Sequence, residues 1–360
     1  MSALETPPGI AARLVREPQE REPEHVWGER VRDLLAAEQG FTRVLGSAGT
    51  GKTSLLAELA THRIQQAATD PGRVLVLTGS RRAADSVRGA ITRRLTLRAD
   101  DALPTVREPL VRTVHSYAFG ILRLRAARRH APAPRLLSAP EQDVIVRELL
   151  QGDLQDHAHG WPEQLRPALG VGGFAEELRD LLARAAERGL GPGDLDELGR
   201  RYDRPEWVAA GGFWQQYEEV VALRSGGGHA LAEPGAPALD AAELISTALL
   251  AFHSEPELLA AERQRVRHVL VDDAQHLDPL QYRLVNELGA GAADFVLAGD
   301  PAQSVYSFRG ADPSLLAESD PDENHTITLT VAHRTASRVR DALRGVTSAM
   351  GRPTRGDETA

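Results

Sequence analysis

"GSAGTGKT", from Gly46 to Thr53, decides how this chain is read. It fits G-x-x-x-x-G-K-[ST] without deviation. Before it, "FTRVLG" reads as a buried strand. After it, "GKTSLLAELATHRIQQA" sets Leu55, Leu56, Leu59 and Ile64 on one side of a helix. Strand, glycine-rich loop and helix together give the pattern its meaning as a phosphate cradle. Glycines at 46, 49 and 51 let the backbone wrap closely and aim N–H groups inward, and the helix N-terminus adds partial positive charge. Lys52 is the only lysine; of 42 basic residues the other 41 are arginine. A compact ammonium on a thin stem fits between the β- and γ-phosphates, where a planar guanidinium is too wide. The Thr53 hydroxyl is suited to ligate Mg²⁺. The candidate cradle is thus Gly46, Ser47, Ala48, Gly49, Thr50, Gly51, Lys52 and Thr53, for a nucleoside triphosphate such as ATP with Mg²⁺.

Such a loop needs a second strand that ends in acid, to hold Mg²⁺ through water and to orient the attacking water. "VLVDDAQ" supplies both: Val269, Leu270 and Val271 bury the strand, and Asp272 and Asp273 follow at its C-terminal end. Further strands are expected at "GRVLVLTGS", at the start of "VRTVHSYAFGILRLRAARR", at "ADFVLAGD" and at "HTITLTVAHR", with helices between them. Strands alternating with helices predict an α/β fold with a mainly parallel sheet. Residues 131–264 break the rhythm with helices and no clear strand, and predict an all-helical insertion. Within it "SAPE", Ser138 to Glu141, is a capping box with Pro in the first turn. "SGGGHALAEPGAPALD" reads as a flexible linker. The expected organisation is an arm over 1–24, a nucleotide-binding domain over 25–130 and 265–345, the helical insertion over 131–264, and a disordered tail over 346–360.

The chain has 360 residues, 42% hydrophobic and 26% charged, the mix of a globular protein. It has no cysteine, which excludes disulfides, thiolate zinc sites, iron–sulfur clusters and a cysteine nucleophile. No run is long enough to span a membrane and the N-terminus has no apolar signal core, so a cytoplasmic protein is expected. The net charge of −9 weighs against a purely electrostatic DNA binder, although arginines far outnumber carboxylates from Arg81 to Arg135.

"GSAGTGKT", "VRTVHSYAFGILR", "VLVDDAQ", "FVLAGDPAQSVYSFRGAD" and "LTVAHRT" occur in an order that resembles superfamily 1 DNA helicases of the UvrD/PcrA/Rep type, over about 43–338. The segment "GDPAQSVYSFRGA" carries the resemblance furthest. It implies a RecA-like domain that hydrolyses ATP to move along DNA in repair or recombination. It implies that Lys52 and Thr53 hold phosphates and Mg²⁺, that Asp272 is the metal acid, and that Asp273 stands in the catalytic glutamate's place. Gln303 would sense the γ-phosphate and Arg334 would act as an arginine finger. Thr113 and His115 match a DNA-backbone contact loop. Tyr306, Phe308 and Arg309 match the segment that touches single-stranded DNA, with Phe308 in the stacking position. The implied partner is single-stranded DNA, or a duplex with a single-stranded tail.

The sequence also departs from the family. Asp273 is one methylene shorter than the glutamate it replaces. "TGSRRAA", Thr78 to Ala84, has Gly79 in place of a stacking aromatic, while Arg81 and Arg82 would add phosphate contacts; Thr78 and Arg81 are the candidate DNA contacts of this segment. Ala332-His333-Arg334 replaces "NYR", so adenine would stack on the His333 imidazole. Upstream, Gln19 is too isolated to form an adenine-reading motif. These departures are similar to the AdnA-type subunit of heterodimeric helicase–nucleases, which implies a second helicase or nuclease subunit. The chain ends soon after Arg334, so the expectation is one motor half that hydrolyses ATP poorly without a second RecA-like domain. A non-catalytic nucleotide- and DNA-binding module, or an unrelated phosphate-loop enzyme such as a small-molecule kinase, are the competing readings; "QSVYSFRGA" argues against the kinase.

Overall fold

The computed structural model describes residues 26–66, 70–98, 111–226 and 236–334, with 336, 338–339, 341–342 and 345–346 beyond them. The expected arm, most of the Gly/Pro/Ala linker and nearly all of the tail lie outside these residues. The strands are β1 (Gly40–Gly46), β2 (Val74–Thr78), β3 (Val111–Thr113), β4 (Arg135–Leu136), β5 (Ala238–Leu239), β6 (His268–Val271), β7 (Asp294–Gly299) and β8 (Thr326–Leu329). The helices of the first half are α1 (Glu29–Ala36), α2 (Lys52–Gln65), α3 (Arg81–Arg98), α4 (Val114–Arg128), α5 (Ala139–Asp156) and α6 (Gly172–Glu187). Those of the second half are α7 (Pro192–Arg201), α8 (Pro205–Gly226), α9 (Ala241–Ser254), α10 (Pro256–Arg265), α11 (Pro279–Gly289) and α12 (Pro313–Glu318).

Six strands pair in the order β3-β2-β6-β7-β1-β8, and every pairing is parallel. A parallel sheet is covered on both faces, so its strands are apolar throughout rather than alternating. Successive residues of β2 still divide between the faces. Leu75 and Leu77 join Val269, Val271 and Leu297 under α4, α9 and α11, whereas Val74 and Val76 join Leu270 and Val296 under α1, α2 and α3. Each such side chain contributes about 1.5–3 kcal/mol on burial. Because all six strands point the same way, their C-terminal ends meet at one edge. That edge receives the phosphate loop, both "VLVDD" aspartates and Asp300.

Helices α5 to α8 build a separate core around Ile145, Leu150, Trp161, Phe213, Trp214 and Tyr217. The Ser138–Glu141 capping box opens α5 as the sequence predicts. Two findings refine the expected helical block. It is not wholly helical, because β4 and β5 form a two-residue parallel pairing. Helices α9 and α10, which the sequence places in the block, pack on the sheet: Leu244, Ile245, Phe252 and Leu258 share one core with Leu75 and Val269. Their apolar faces are continuous with the sheet layer, whatever their distance from it along the chain. No described helix is long and apolar enough to cross a membrane.

Candidate nucleotide site and nucleic-acid face

The loop between β1 and α2 turns through left-handed backbone at Gly49 (φ 82°) and Gly51 (φ 94°). Gly51 is the residue on which α2 starts, and an L side chain there would be strained. Lys52 is buried, and its Nζ donates to the carbonyls of Gly46 (2.6 Å) and Ser47 (3.2 Å). Burial pulls the Lys52 ammonium below its usual range, with Arg334 acting in the same sense; the charges of Asp300, Asp273 and Asp272 oppose this. The ammonium therefore lies among three carboxylates, with one guanidinium close enough to act on it.

Asp272, 219 residues from Thr53, accepts the Thr53 hydroxyl at Oδ2 (2.9 Å). Its other oxygen, Oδ1, is buried without a hydrogen-bond partner among the described residues. Burial pushes the Asp272 carboxyl up to about 6, and the neighbouring charge of Asp273 adds to this; the Thr53 hydroxyl, Lys52 and the Asp273 backbone amide only partly offset it. An orphaned buried carboxylate oxygen beside a threonine hydroxyl suits Mg²⁺. That ion takes one or two carboxylates and completes its shell with phosphates and water. No group of three or more acidic, His or Cys ligands occurs among the described residues, so a self-sufficient protein cage is not what these residues offer.

Asp273 itself adopts left-handed backbone (φ 53°). Its Oδ1 accepts from Gln275 Nε2 (3.2 Å). Gln275 is buried, and its Oε1 in turn accepts the Asp300 amide (3.1 Å). The Asp300 carboxylate accepts Gln303 Nε2 (2.6 Å) and the Ala302 amide (2.9 Å). Asp273 and Gln303 are thus two ends of one hydrogen-bonded chain. Sequence reading missed its middle members, Gln275 and Asp300. The signals were present: Asp300 ends an apolar strand just as Asp272 does, and Gln275 lies two residues beyond Asp273. Gly299 leaves the space that the chain needs, because a Cβ there would collide with Gln275 Oε1 and come within 2.6 Å of Leu316 Cδ2.

The His333 amide donates to the Gly49 carbonyl (2.8 Å), which brings the His333–Arg334 segment beside the loop. Both side chains are exposed.

At the tops of β2 and β3 the expected DNA contacts divide. The side chain of Thr78 is turned inward: the residue is 2% exposed, and its hydroxyl donates to the Ser80 carbonyl (3.1 Å). It shapes the turn that precedes Arg81 rather than offering itself at the surface, while Arg81 is exposed in the first turn of α3. The Thr113 hydroxyl accepts the Ser116 amide (3.2 Å) as the N-cap of α4. His115, in the first turn of that helix, is half-buried, and burial lowers its basicity. Beyond Gln303, Tyr306 (42% exposed) and Phe308 (58%) form an open aromatic pair with ring centroids 6.2 Å apart. The Arg309 guanidinium lies 5.4 Å from the Phe308 centroid, and the His276 ring lies 4.7 Å from that of Tyr306.

Residues 27–324 match the family model for the UvrD/REP helicase N-terminal domain. The DNA helicase II of Haemophilus influenzae is 26% identical over 284 residues, which is 79% of this chain and 35% of that protein. The ATP-dependent DNA helicase PcrA of Leuconostoc citreum is 25% identical over 317 residues, 87% of this chain and 38% of that protein. The PcrA of Staphylococcus aureus is 24% identical over the same length, covering 39% of it. The chain therefore spans well under half the length of these relatives. A phosphate loop facing an acidic strand tip, and a model match across most of the chain, place it in the UvrD/REP helicase N-terminal domain family.

Proposed function

We propose that this chain is the ATP-binding half of a DNA-translocating motor, which hydrolyses ATP and couples the reaction to movement along single-stranded DNA. The observation that supports this most directly is the 2.9 Å contact between Thr53 and Asp272, with Lys52 in the same cradle. The relatives' names carry both ATP dependence and DNA. The loop amides of residues 46–53 and the Lys52 ammonium bind the triphosphate. Thr53 and Asp272 hold its magnesium, which when bound draws charge off the phosphate oxygens. Asp273 orients the attacking water, and Arg334 reaches the γ-phosphate. His333, beside Gly49, offers a ring face to the base.

Coupling follows from the hydrogen-bonded chain. A shift of Asp273 or Gln303 on hydrolysis moves Gln275 and Asp300, and with them the turn that carries Tyr306, Phe308 and Arg309. Phe308 stacks a base without sequence preference, worth about 1–3 kcal/mol; the Arg309 and Arg81 guanidiniums take phosphates. The opposite wall of the ATP cleft is assigned to a second RecA-like domain, whether in the same polypeptide or in a second subunit.

The test is phosphate release by the chain together with a second motor domain, with and without single-stranded DNA. DNA-stimulated release that Lys52→Ala abolishes, along with nucleotide binding, is the expected result. Nucleotide binding without hydrolysis in any form would replace the motor with a regulatory nucleotide- and DNA-binding module.

A further inference from the structure

On the β3 edge of the sheet, a groove of about 690 Å³ runs along the outer side of α4 and is closed below by α10. Four arginines line it, Arg112, Arg123, Arg128 and Arg265, in a chain whose net charge is −9. One carboxylate, Glu262, lies buried in its wall and is already engaged. The Tyr117 hydroxyl donates to it (2.7 Å), and Arg265 Nη2 donates to the same oxygen (2.8 Å). Glu262 and Arg265 offset one another, and the exposed Arg123 and Arg128 bring positive charge to the groove. Arg123 and Arg128 are exposed on α4, and neither forms an ion pair with a carboxylate among the described residues. The Arg112 side chain crosses α4 at Gly120, where a Cβ would come within 2.7 Å of its Nη1.

The floor is apolar, with a half-buried Phe119 among the cations. Cations over an apolar, partly aromatic floor are the chemistry that holds a single-stranded nucleic acid: charge for the backbone and a ring face for a base. The groove also begins where the strand-end face stops. Ser116 lies at its upper end, and its amide is bonded to Thr113 at the tip of β3. From Ser116 to Arg128 the helix extends for about 18 Å, room for several phosphates.

We infer that this groove binds the backbone of the single strand as it leaves the strand-end face, and so lengthens the DNA site down the side of the domain. The inference rests on the DNA-motor reading and adds a segment to it.

The experiment measures binding of the full chain to a short oligothymidylate, enough to cover the strand-end face alone, and to a longer one, across a salt series. Both are compared with the double variant Arg123→Ala/Arg128→Ala, whose exposed side chains keep the fold out of question. The long oligonucleotide should bind about tenfold more weakly, and its salt slope should fall by about 1.4, at 0.7 for each phosphate that is no longer neutralised. The short one should bind as before. Equal weakening for both lengths, or none for either, overturns the inference while leaving the motor reading intact. A wild-type chain that binds neither length overturns the motor reading and the inference together.

Discussion

Two buried aspartates stand at opposite ends of the same sheet, and they are built differently. Asp294 opens β7 and is fully buried. Its oxygens accept Arg63 Nε (2.6 Å) and Nη2 (3.2 Å), His268 Nδ1 at 2.7 Å and the Gln39 amide (3.3 Å). Arg63 also reaches the carbonyls of Leu34, Leu35 and Ala37, and so secures the C-terminal end of α1. Burial alone would push the Asp294 carboxyl up, but the hydrogen bonds from His268 and Arg63 outweigh it and hold the group below the usual range. Asp272, at the other end, has one satisfied oxygen and one orphan, and burial wins. A buried network that is fully satisfied fixes a fold; one that is half satisfied stores an unmet demand that a ligand can answer. The same residue type thus ties the structure at the N-terminal edge of the sheet and leaves an open acceptor at the C-terminal edge.

The comparison breaks most readily at Asp294. Asp294→Ala should cost about 3–5 kcal/mol in urea unfolding, because Arg63 is left buried and uncompensated. Nucleotide affinity of the folded fraction should stay near wild type; a large loss of affinity without loss of stability would erase the division of labour.

At Asp272 the signs reverse. Its folded carboxyl titrates at about 6, above its unfolded value, so the folded chain holds that proton more tightly. The stabilisation is full at low pH and is lost as pH rises towards and through about 6. Asp272→Asn removes this loss, so the ligand-free variant should melt higher than wild type near neutral pH, with a flatter dependence on pH. Its Mg²⁺-dependent nucleotide affinity should fall about a hundredfold. A lower melting temperature together with unchanged affinity would make Asp272 a second structural aspartate.

The smallest of these effects is expected at Gly299→Ala, where the added Cβ displaces Gln275 from between Asp273 and Asp300. Overpacking should cost about 1–3 kcal/mol. DNA stimulation of phosphate release should drop while nucleotide affinity holds. Equal loss of both would confine Gln275 to packing.

Much of this architecture was legible because it is written locally. The strand–loop–helix around Lys52, the capping box at Ser138 and the apolar runs of β2, β6 and β7 each specify themselves within a dozen residues. The setting of Thr78 was not legible, for the opposite reason. It ends β2, and only the turn to Ser80 shows its hydroxyl facing inward. Helices α9 and α10 follow a helical block in sequence, and nothing in their own periodicity says which core they join.

The sequence by itself determined the strand–glycine loop–helix unit around Lys52, the parallel α/β class and the order of the acidic strand ends, since periodicity, glycine placement and a lone ammonium are local properties of the chain. Tertiary structure alone decided which carboxylates are met. The order β3-β2-β6-β7-β1-β8 carries Asp272 to Thr53 across 219 residues and Asp294 to Arg63 across 231. Whether a buried oxygen finds a donor depends on what packing brings beside it, and that single difference separates the aspartate that holds the sheet from the one left with an unmet acceptor.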